Sequence, residues 1–266
     1  MGEIISFYRS DNQMMNDAID RVVVEIYKKK RQSGDRTFLM TGCSSGCGTT
    51  TNAINLSIAL SVAGWKTVLL DCDLRKGAKY KRLSENIRIG LGDYLSTAER
   101  ELQLDDIIYP TNYPTLDYIP CGHSSGSPIT LFCTVKMEQL IDELEKEYDY
   151  ILLDFPSINA VSDADILIPR VDDTILVLGF GMTSKKQLTE AKRKVEEFPD
   201  KYIGLLINRV EFAQYRNAIR DYDYFRQANL KKRYKRQMKG RVKGRVKKAG
   251  KVPKVKKAKK VKKEKK

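Results

Sequence analysis

Apolar positions in the first two hundred residues fall alternately into short unbroken runs and into helical spacings. Met15, Ala18, Ile19, Val22, Val23 and Ile26 recur three and four apart, which predicts a helix over residues 14–31. Lys28, Lys29, Lys30 and Arg31 close it, a favourable charge at the negative helix end, and Ser33-Gly34-Asp35 breaks it. The run Thr37-Phe38-Leu39-Met40 reads as a buried strand, followed by a helix over residues 50–63 that Gly64 ends. Further strands are expected at residues 66–70, 116–119, 150–153, 174–178 and 202–207. Met137, Leu140, Ile141 and Leu144 mark one more helix, and Leu188, Ala191, Val195 and Phe198 another. Gly90-Leu91-Gly92 reads as a turn, and residues 121–128 as a Gly/Ser-rich loop. Strands apolar throughout, alternating with helices, predict an α/β fold whose parallel sheet is covered by helices on both faces. A ligand then belongs at the carboxyl ends of the strands.

Composition changes this picture mainly at the end of the chain. The 266 residues carry a net charge of +15, but residues 231–266 alone hold 21 Lys+Arg and one Glu, so the remainder is mildly acidic. Three parts follow: an N-terminal helical part over residues 1–35, a core domain over 36–210 and a tail over 211–266. The tail begins with Tyr215, Tyr222, Tyr224 and Tyr234 among charged residues and ends in a Lys-rich stretch that cannot bury a core, so disorder is expected there. No apolar run approaches the ~20 residues of a membrane span and residues 1–10 show no signal-peptide pattern, so a cytoplasmic protein is expected. Five cysteines (Cys43, Cys47, Cys72, Cys121 and Cys133) without C-x-x-C spacing suggest neither a disulfide framework nor a zinc site. His123, the single histidine, sits in the Gly/Ser loop and reads as a surface residue.

The candidate chemistry lies where strands end. After Thr37-Phe38-Leu39-Met40 comes Thr41-Gly42-Cys43-Ser44-Ser45-Gly46-Cys47-Gly48-Thr49-Thr50-Thr51. Strand, glycine-bearing turn and helix start make a phosphate cradle, because Gly46 and Gly48 let backbone N–H groups converge on an anion at a helix N-terminus. The usual phosphate-loop pattern is G-x-x-x-x-G-K-[ST]. Here Cys43 replaces its first glycine and Thr49 its lysine. Thr67-Val68-Leu69-Leu70-Asp71-Cys72-Asp73 ends a strand in two carboxylates, and Asp149-Tyr150-Ile151-Leu152-Leu153-Asp154 ends another in one. A phosphate loop followed by two acid-tipped strands is a set suited to Mg-nucleotide. Asp71 and Asp73 share one side of an extended chain; the plainer alternative is that such aspartates cap following helices.

With these pieces in place the chain resembles the bacterial tyrosine kinases of the capsular and exopolysaccharide type, relatives of the partition and septum-site ATPases. The resemblance rests on residues 41–51, Val68-Leu69-Leu70-Asp71-Cys72-Asp73-Leu74-Arg75, Gly90-Leu91-Gly92-Asp93-Tyr94-Leu95, Tyr148-Asp149-Tyr150-Ile151-Leu152-Leu153-Asp154-Phe155-Pro156, Ser162-Asp163-Ala164-Asp165 and the tyrosine-bearing tail, in the family's order over residues 17–210. It implies a P-loop ATPase fold, ATP and Mg²⁺ as cofactors, and phosphorylation of tail tyrosines (candidates Tyr215, Tyr222, Tyr224 and Tyr234), usually in a neighbouring subunit of a homo-oligomer. It implies activation by the cytosolic end of a membrane-embedded polysaccharide chain-length regulator, which would place the protein at the inner face of the membrane.

Residue roles follow from the same resemblance. Gly46, Cys47, Gly48, Thr49, Thr50 and Thr51 would line the phosphates, with Thr50 on Mg²⁺. Asp71 would take the tyrosine proton, Asp73 would join the metal shell and Asp154 would hold a metal-bound water. Asn208 either reads the adenine edge or is a turn residue, and Arg75 and Lys76 either face phosphates or are solvated. Two departures stand out. Thr49 removes a cation, so Lys76, Lys79 or a neighbour's arginine would have to substitute; and Asp17, Asp20 and Val23 occupy the places of the family's ring-forming Glu-x-x-Arg-x-x-Arg, of which Glu25, Lys28 and Arg31 are only a shifted imitation. Two alternatives therefore stand beside the kinase: a nucleotide-binding regulator without turnover, and a partition-type ATPase. The basic tail suits an anionic lipid surface or, on charge alone, nucleic acid, and the membrane partner favours lipid.

Overall fold

The computed structural model describes residues 4–10, 13–75, 89–97, 102–124 and 126–210. Those residues belong to one compact unit, Met1–Val210. The tail tyrosines, the Lys-rich end, Lys76 and Lys79 lie outside the described residues.

A seven-stranded sheet organises the unit. Its strands are β1 (Thr37–Gly42), β2 (Thr67–Asp71), β3 (Tyr109–Pro110), β4 (Leu116–Ile119), β5 (Tyr150–Phe155), β6 (Asp173–Gly179) and β7 (Tyr202–Asn208). They run in the order β3-β4-β2-β5-β1-β6-β7, all parallel except the edge strand β3, which pairs antiparallel with β4. Every residue of β1, β2 and β5 is buried, as unbroken apolar runs require when both faces of a sheet are covered.

Alternation along the strands divides the core in two. Phe38, Met40, Leu69, Leu152, Ile175 and Val177 pack with α1 (Gln13–Ser33) and α2 (Thr49–Val62) on one face. Leu39, Val68, Leu70, Ile151, Leu153 and Leu176 pack on the other, with α5 (Val135–Glu147) and α7 (Lys185–Glu196). The spacing read for α5 is its buried face, Met137, Leu140, Ile141 and Leu144, and Thr134 caps the helix by accepting the Met137 N–H. In α1, Ile19 and Ile26 are buried, Val22 and Val23 are half-buried, and Ala18 is exposed. α2 is buried along most of its length, polar residues included. Asn52, Asn55 and Ser57 are satisfied within the helix, donating to the carbonyls of Gly48, Thr51 and Ala53 one turn back.

One expectation is corrected. Gly90-Leu91-Gly92 is not a turn: it opens the six-residue helix α3 (Leu91–Ser96), whose first amides donate to the carbonyls of Pro120 and Cys121. The basic end of α1 does more than sit at a helix terminus. Lys30 binds Asp149 at 3.0 Å, and Lys29 binds Asp173 at 3.2 Å. Glu25 pairs with Lys28 of its own helix at 2.8 Å. The N-terminal segment gave no sequence signal either. It lies along the short β3 edge, where Ile5 bridges to Thr111 and Asn112 brackets Phe7 with two hydrogen bonds, so that backbone groups of an edge strand are covered.

Asp173, at the start of β6, is fully buried, and burial and a hydrogen bond with Asp35 push its pKa up to about 6 against the pull of Lys29. An acid whose pKa is higher folded than unfolded contributes stability below its unfolded value, near 3.9, and loses it as pH rises through 6. Asp173→Asn is therefore expected to be more stable than the parent at pH 8, by about 1–3 kcal/mol, with the difference closing towards pH 4. Urea unfolding at both pH values measures it.

Candidate nucleotide-binding site

The loop that follows β1 is pinned by four residues from elsewhere in the chain. Cys43 N–H donates to the Val177 carbonyl of β6 at 2.8 Å, and Asn159 Nδ2 donates to the Cys43 carbonyl at 2.9 Å. Ser44 and Thr183 share a hydroxyl bond of 2.8 Å, and Asn208, the last residue of β7, donates Nδ2 to the Cys47 carbonyl at 2.8 Å. The segment after β5 is tied to the same strand end by Thr41 Oγ1 donating to the Pro156 carbonyl and Ile158 N–H donating to that of Gly42. Gly46 and Gly48 have φ of 75° and 95°, the left-handed backbone that turns successive amides inward. α2 starts immediately afterwards, so the N–H groups of its first turn face the same concavity.

The Thr49 hydroxyl is 3.4 Å from Cys47 Sγ. A methyl group on Gly42 would meet both atoms, at 2.8 and 2.5 Å, so Gly42, Cys47 and Thr49 share one packed spot under the loop.

All three predicted carboxylates come to this end of the sheet. Asp71 and Asp154 are direct register partners across β2 and β5, Met40 of β1 is the partner of Asp154 on the other side, and Cys72 N–H donates to the Asp154 carbonyl at 2.9 Å. Asp73 N–H donates to Asp71 Oδ1 at 3.0 Å, and the Tyr118 hydroxyl lies 3.4 Å from Asp71 Oδ2. All three aspartates are buried. Their joint field is felt by the groups around them. Burial, then Asp71, Asp154, Cys121 and Asp73, hold the Cys72 thiol well above its usual pKa; burial, then Asp71 and Asp73, push Cys121 up to about 12. Burial followed by Asp71 raises Tyr118 in the same way.

The side chains that converge here, Asp71, Asp73 and Asp154, offer carboxylate oxygens, hard donors of the kind Mg²⁺ takes. Among the described residues no cluster of three or more His, Cys, Asp or Glu side chains closes on a metal by itself. Mg²⁺ fits such a site, since it takes one or two protein carboxylates and completes its shell with water and phosphate oxygens.

Other predicted residues land differently. Asn208 is not a turn residue: its amide is the strut between β7 and the loop. Arg75 is neither solvated alone nor unpaired, because Nε and Nη2 hold the carboxylate of Asp163 at 2.7–3.2 Å. Asp163 was legible as a family piece but not as this partner, which lies 88 residues away. His123 is exposed, as expected. A cavity of about 470 Å³ lined by Tyr94, Leu104, Lys136, Glu143 and Glu147, among others, contains none of the site residues.

Comparison with known proteins agrees with this geometry. Residues 38–202 match the family described as AAA domain. Tyrosine-protein kinase CpsD of Streptococcus agalactiae is 30% identical over 177 residues, 66% of this chain and 76% of that protein. The crystal structure of the VpsO kinase domain superimposes with a TM-score of 0.63 at 28% identity, over 74% of this chain and 97% of that one. The septum site-determining protein MinD of Pyrococcus horikoshii OT3, solved with Mg-ADP, shares the fold with a TM-score of 0.52 at 22% identity, over 66% of this chain and 72% of its own. The chain belongs to the AAA-domain family and, within it, to the bacterial tyrosine-protein kinases of the CpsD type.

Proposed function

We propose that the protein is an ATP-dependent protein-tyrosine kinase that phosphorylates tyrosines of its own tail and thereby regulates capsular or exopolysaccharide synthesis or export. The observation that carries this reading is the convergence of Asp71, Asp73 and Asp154 on adjacent strands beside the strand that bears the phosphate loop. The loop amides and the first turn of α2, from Gly46 to Thr51, bind the nucleotide phosphates, and Asn208 holds the loop in shape for them. Thr50 and Asp73 would ligate Mg²⁺ and Asp154 a water on it; the ion supplies charge neutralisation at the phosphates. Asp71 receives the proton of the attacking tyrosine, its carboxylate oriented by the Asp73 amide.

Tyr215, Tyr222, Tyr224 and Tyr234 are the acceptors in this reading, each phosphate adding about −1.5 to −2 charge to a basic surrounding. A membrane-embedded chain-length regulator is the activating partner, a homo-oligomer brings one tail to the next site, and the Lys-rich end rests on anionic lipid. No described helix is long and apolar enough to cross a membrane.

Incubating the full chain with Mg-ATP and the cytosolic segment of its membrane partner is expected to place phosphotyrosine on the tail, read by mass spectrometry. Tails unmodified under all partner conditions would remove the reading. One feature favours a second reading, a nucleotide-binding regulator without turnover: residues 37–65 contain no Lys or Arg at all. That reading expects Mg-ADP binding with no phosphotransfer.

A further inference from the structure

Asp71 is held by more than the Asp73 amide. Tyr118 of β4 is the register partner of Leu69, two residues before Asp71 on β2, and both side chains pack on the same face of the sheet. The Tyr118 hydroxyl lies 3.4 Å from Asp71 Oδ2, while the Asp73 amide takes the other oxygen, Oδ1. A phenol is a donor at neutral pH, and a carboxylate oxygen accepts two bonds, so Oδ2 keeps a lone pair for an incoming proton. Hydrogen bonds of catalytic groups are often this long before substrate is in place and tighten afterwards.

Tyr118 is in turn seated from outside the sheet. It is 5% exposed, and part of its cover is Phe7, itself 6% exposed, whose ring meets it edge-on with centroids 5.3 Å apart and planes at 83°. Edge-to-face pairs have a preferred geometry, so placing one ring places the other. Phe7 is fixed through its backbone. Its N–H donates to Asn112 Oδ1 at 2.7 Å, and Asn112 Nδ2 donates to its carbonyl at 3.0 Å. Two residues earlier, Ile5 N–H donates to the Pro110 carbonyl and the Asn112 N–H donates to that of Ile5. Pro110 ends β3 and Asn112 lies in the turn to β4, so the N-terminal segment is strapped to the hairpin that carries Tyr118. Contacts thus run without a break from the backbone of residues 5–7, through the Phe7 ring and Tyr118, to the carboxylate of Asp71.

We infer that Tyr118 is a positioning residue for Asp71, and that the N-terminal segment seats it through Phe7. The inference rests on the kinase reading above. In the step concerned, the acceptor tyrosine's oxygen bonds to the γ-phosphorus as the bond to the β,γ-bridging oxygen breaks. ADP leaves with that electron pair, and the phenolic proton passes to Asp71 Oδ2. Tyr118 acts only by holding that oxygen where the proton arrives.

The test is a double-mutant cycle on the full chain, read both as tail phosphorylation with the membrane partner's cytosolic segment present and as affinity for Mg-ADP alone. Tyr118→Phe keeps the ring against Phe7 and removes only the hydroxyl. Its turnover is expected to fall about tenfold, because small misplacements of a reacting group are costly, with Mg-ADP affinity within about threefold of the parent. Phe7→Leu keeps an apolar cover and loses the edge contact, and should lower turnover about threefold, again at unchanged affinity. In the double variant Phe7→Leu/Tyr118→Phe the change at Phe7 should cost nothing further, since a ring without its hydroxyl has nothing to aim. A Tyr118→Phe chain that turns over within about twofold of the parent overturns the inference, and so does one that loses Mg-ADP affinity in step with turnover, the mark of a structural role. A Phe7→Leu change that costs the same factor with and without the hydroxyl overturns the part assigned to the N-terminal segment. Each of these leaves the kinase reading standing. A parent that phosphorylates no tyrosine overturns both.

Discussion

Asp71→Asn is expected to slow tyrosine phosphorylation by about 10²–10⁴-fold while leaving Mg-ATP affinity within about threefold. In the proposed mechanism the two numbers separate, because there Asp71 acts on the phenol proton and not on the nucleotide. Its Oδ1 is taken by the Asp73 amide, which fixes the carboxylate plane, and the amide oxygen of an asparagine keeps that bond. What asparagine cannot do is accept a proton. The fold should not suffer, because three buried carboxylates share this corner and removing one lessens their mutual repulsion. Single-turnover transfer from labelled ATP, beside calorimetric titration with Mg-ATP, gives both values. A rate within tenfold of the parent would mean that the proton leaves by another route and would strip Asp71 of its role.

The parts of this site that the sequence discloses are those fixed by local chemistry. Leu39 and Met40, or Leu152 and Leu153, announce a strand buried on both faces because neither side of the sheet meets water. Gly46 and Gly48 announce a left-handed bend, and Asp71 and Asp154 announce strand ends. What holds these pieces in register is not local. Nothing in the order of residues says that Asp154 lies opposite Asp71 on one side and Met40 on the other, since that depends on β5 entering between two strands formed much earlier in the chain. The same is true of Asn208, whose amide crosses 161 residues to reach Cys47, and of the clasp between Arg75 and Asp163. Ile5 and Phe7 cover the β3 edge by hydrogen bonds of a few residues with no periodicity to betray them. Gly90-Leu91-Gly92 misleads for a related reason. Glycines that punctuate a turn in isolation here let a helix begin against the backbone of residues 120–122, a packing that only the folded chain supplies.

Gly48→Ala should damage the phosphate loop more than any other change of one methyl group. Two costs add. The backbone at Gly48 has φ of 95°, a left-handed conformation that a residue with a Cβ adopts at a cost of about 1–2 kcal/mol. The added carbon would also lie within 2.2 Å of Asn208 Nδ2. Asn208 cannot withdraw cheaply, since the same nitrogen holds the Cys47 carbonyl, and losing a net hydrogen bond adds about 0.5–1.5 kcal/mol. The expected loss of about 2–3 kcal/mol corresponds to a fall in Tm of about 4–12 °C for a domain of this size. Affinity for Mg-ADP should fall about 10–100-fold, because each 1.4 kcal/mol of misalignment at the loop is a factor of ten. Asn208→Ala in the same chain separates the two costs. It removes the collision but not the backbone strain, so the double variant should regain part of the lost Tm and little of the lost affinity. Thermal unfolding and calorimetry on the parent, both single variants and the double variant decide it. Should Gly48→Ala bind Mg-ADP as tightly as the parent, the bend at Gly46 and Gly48 is not where the phosphates lie.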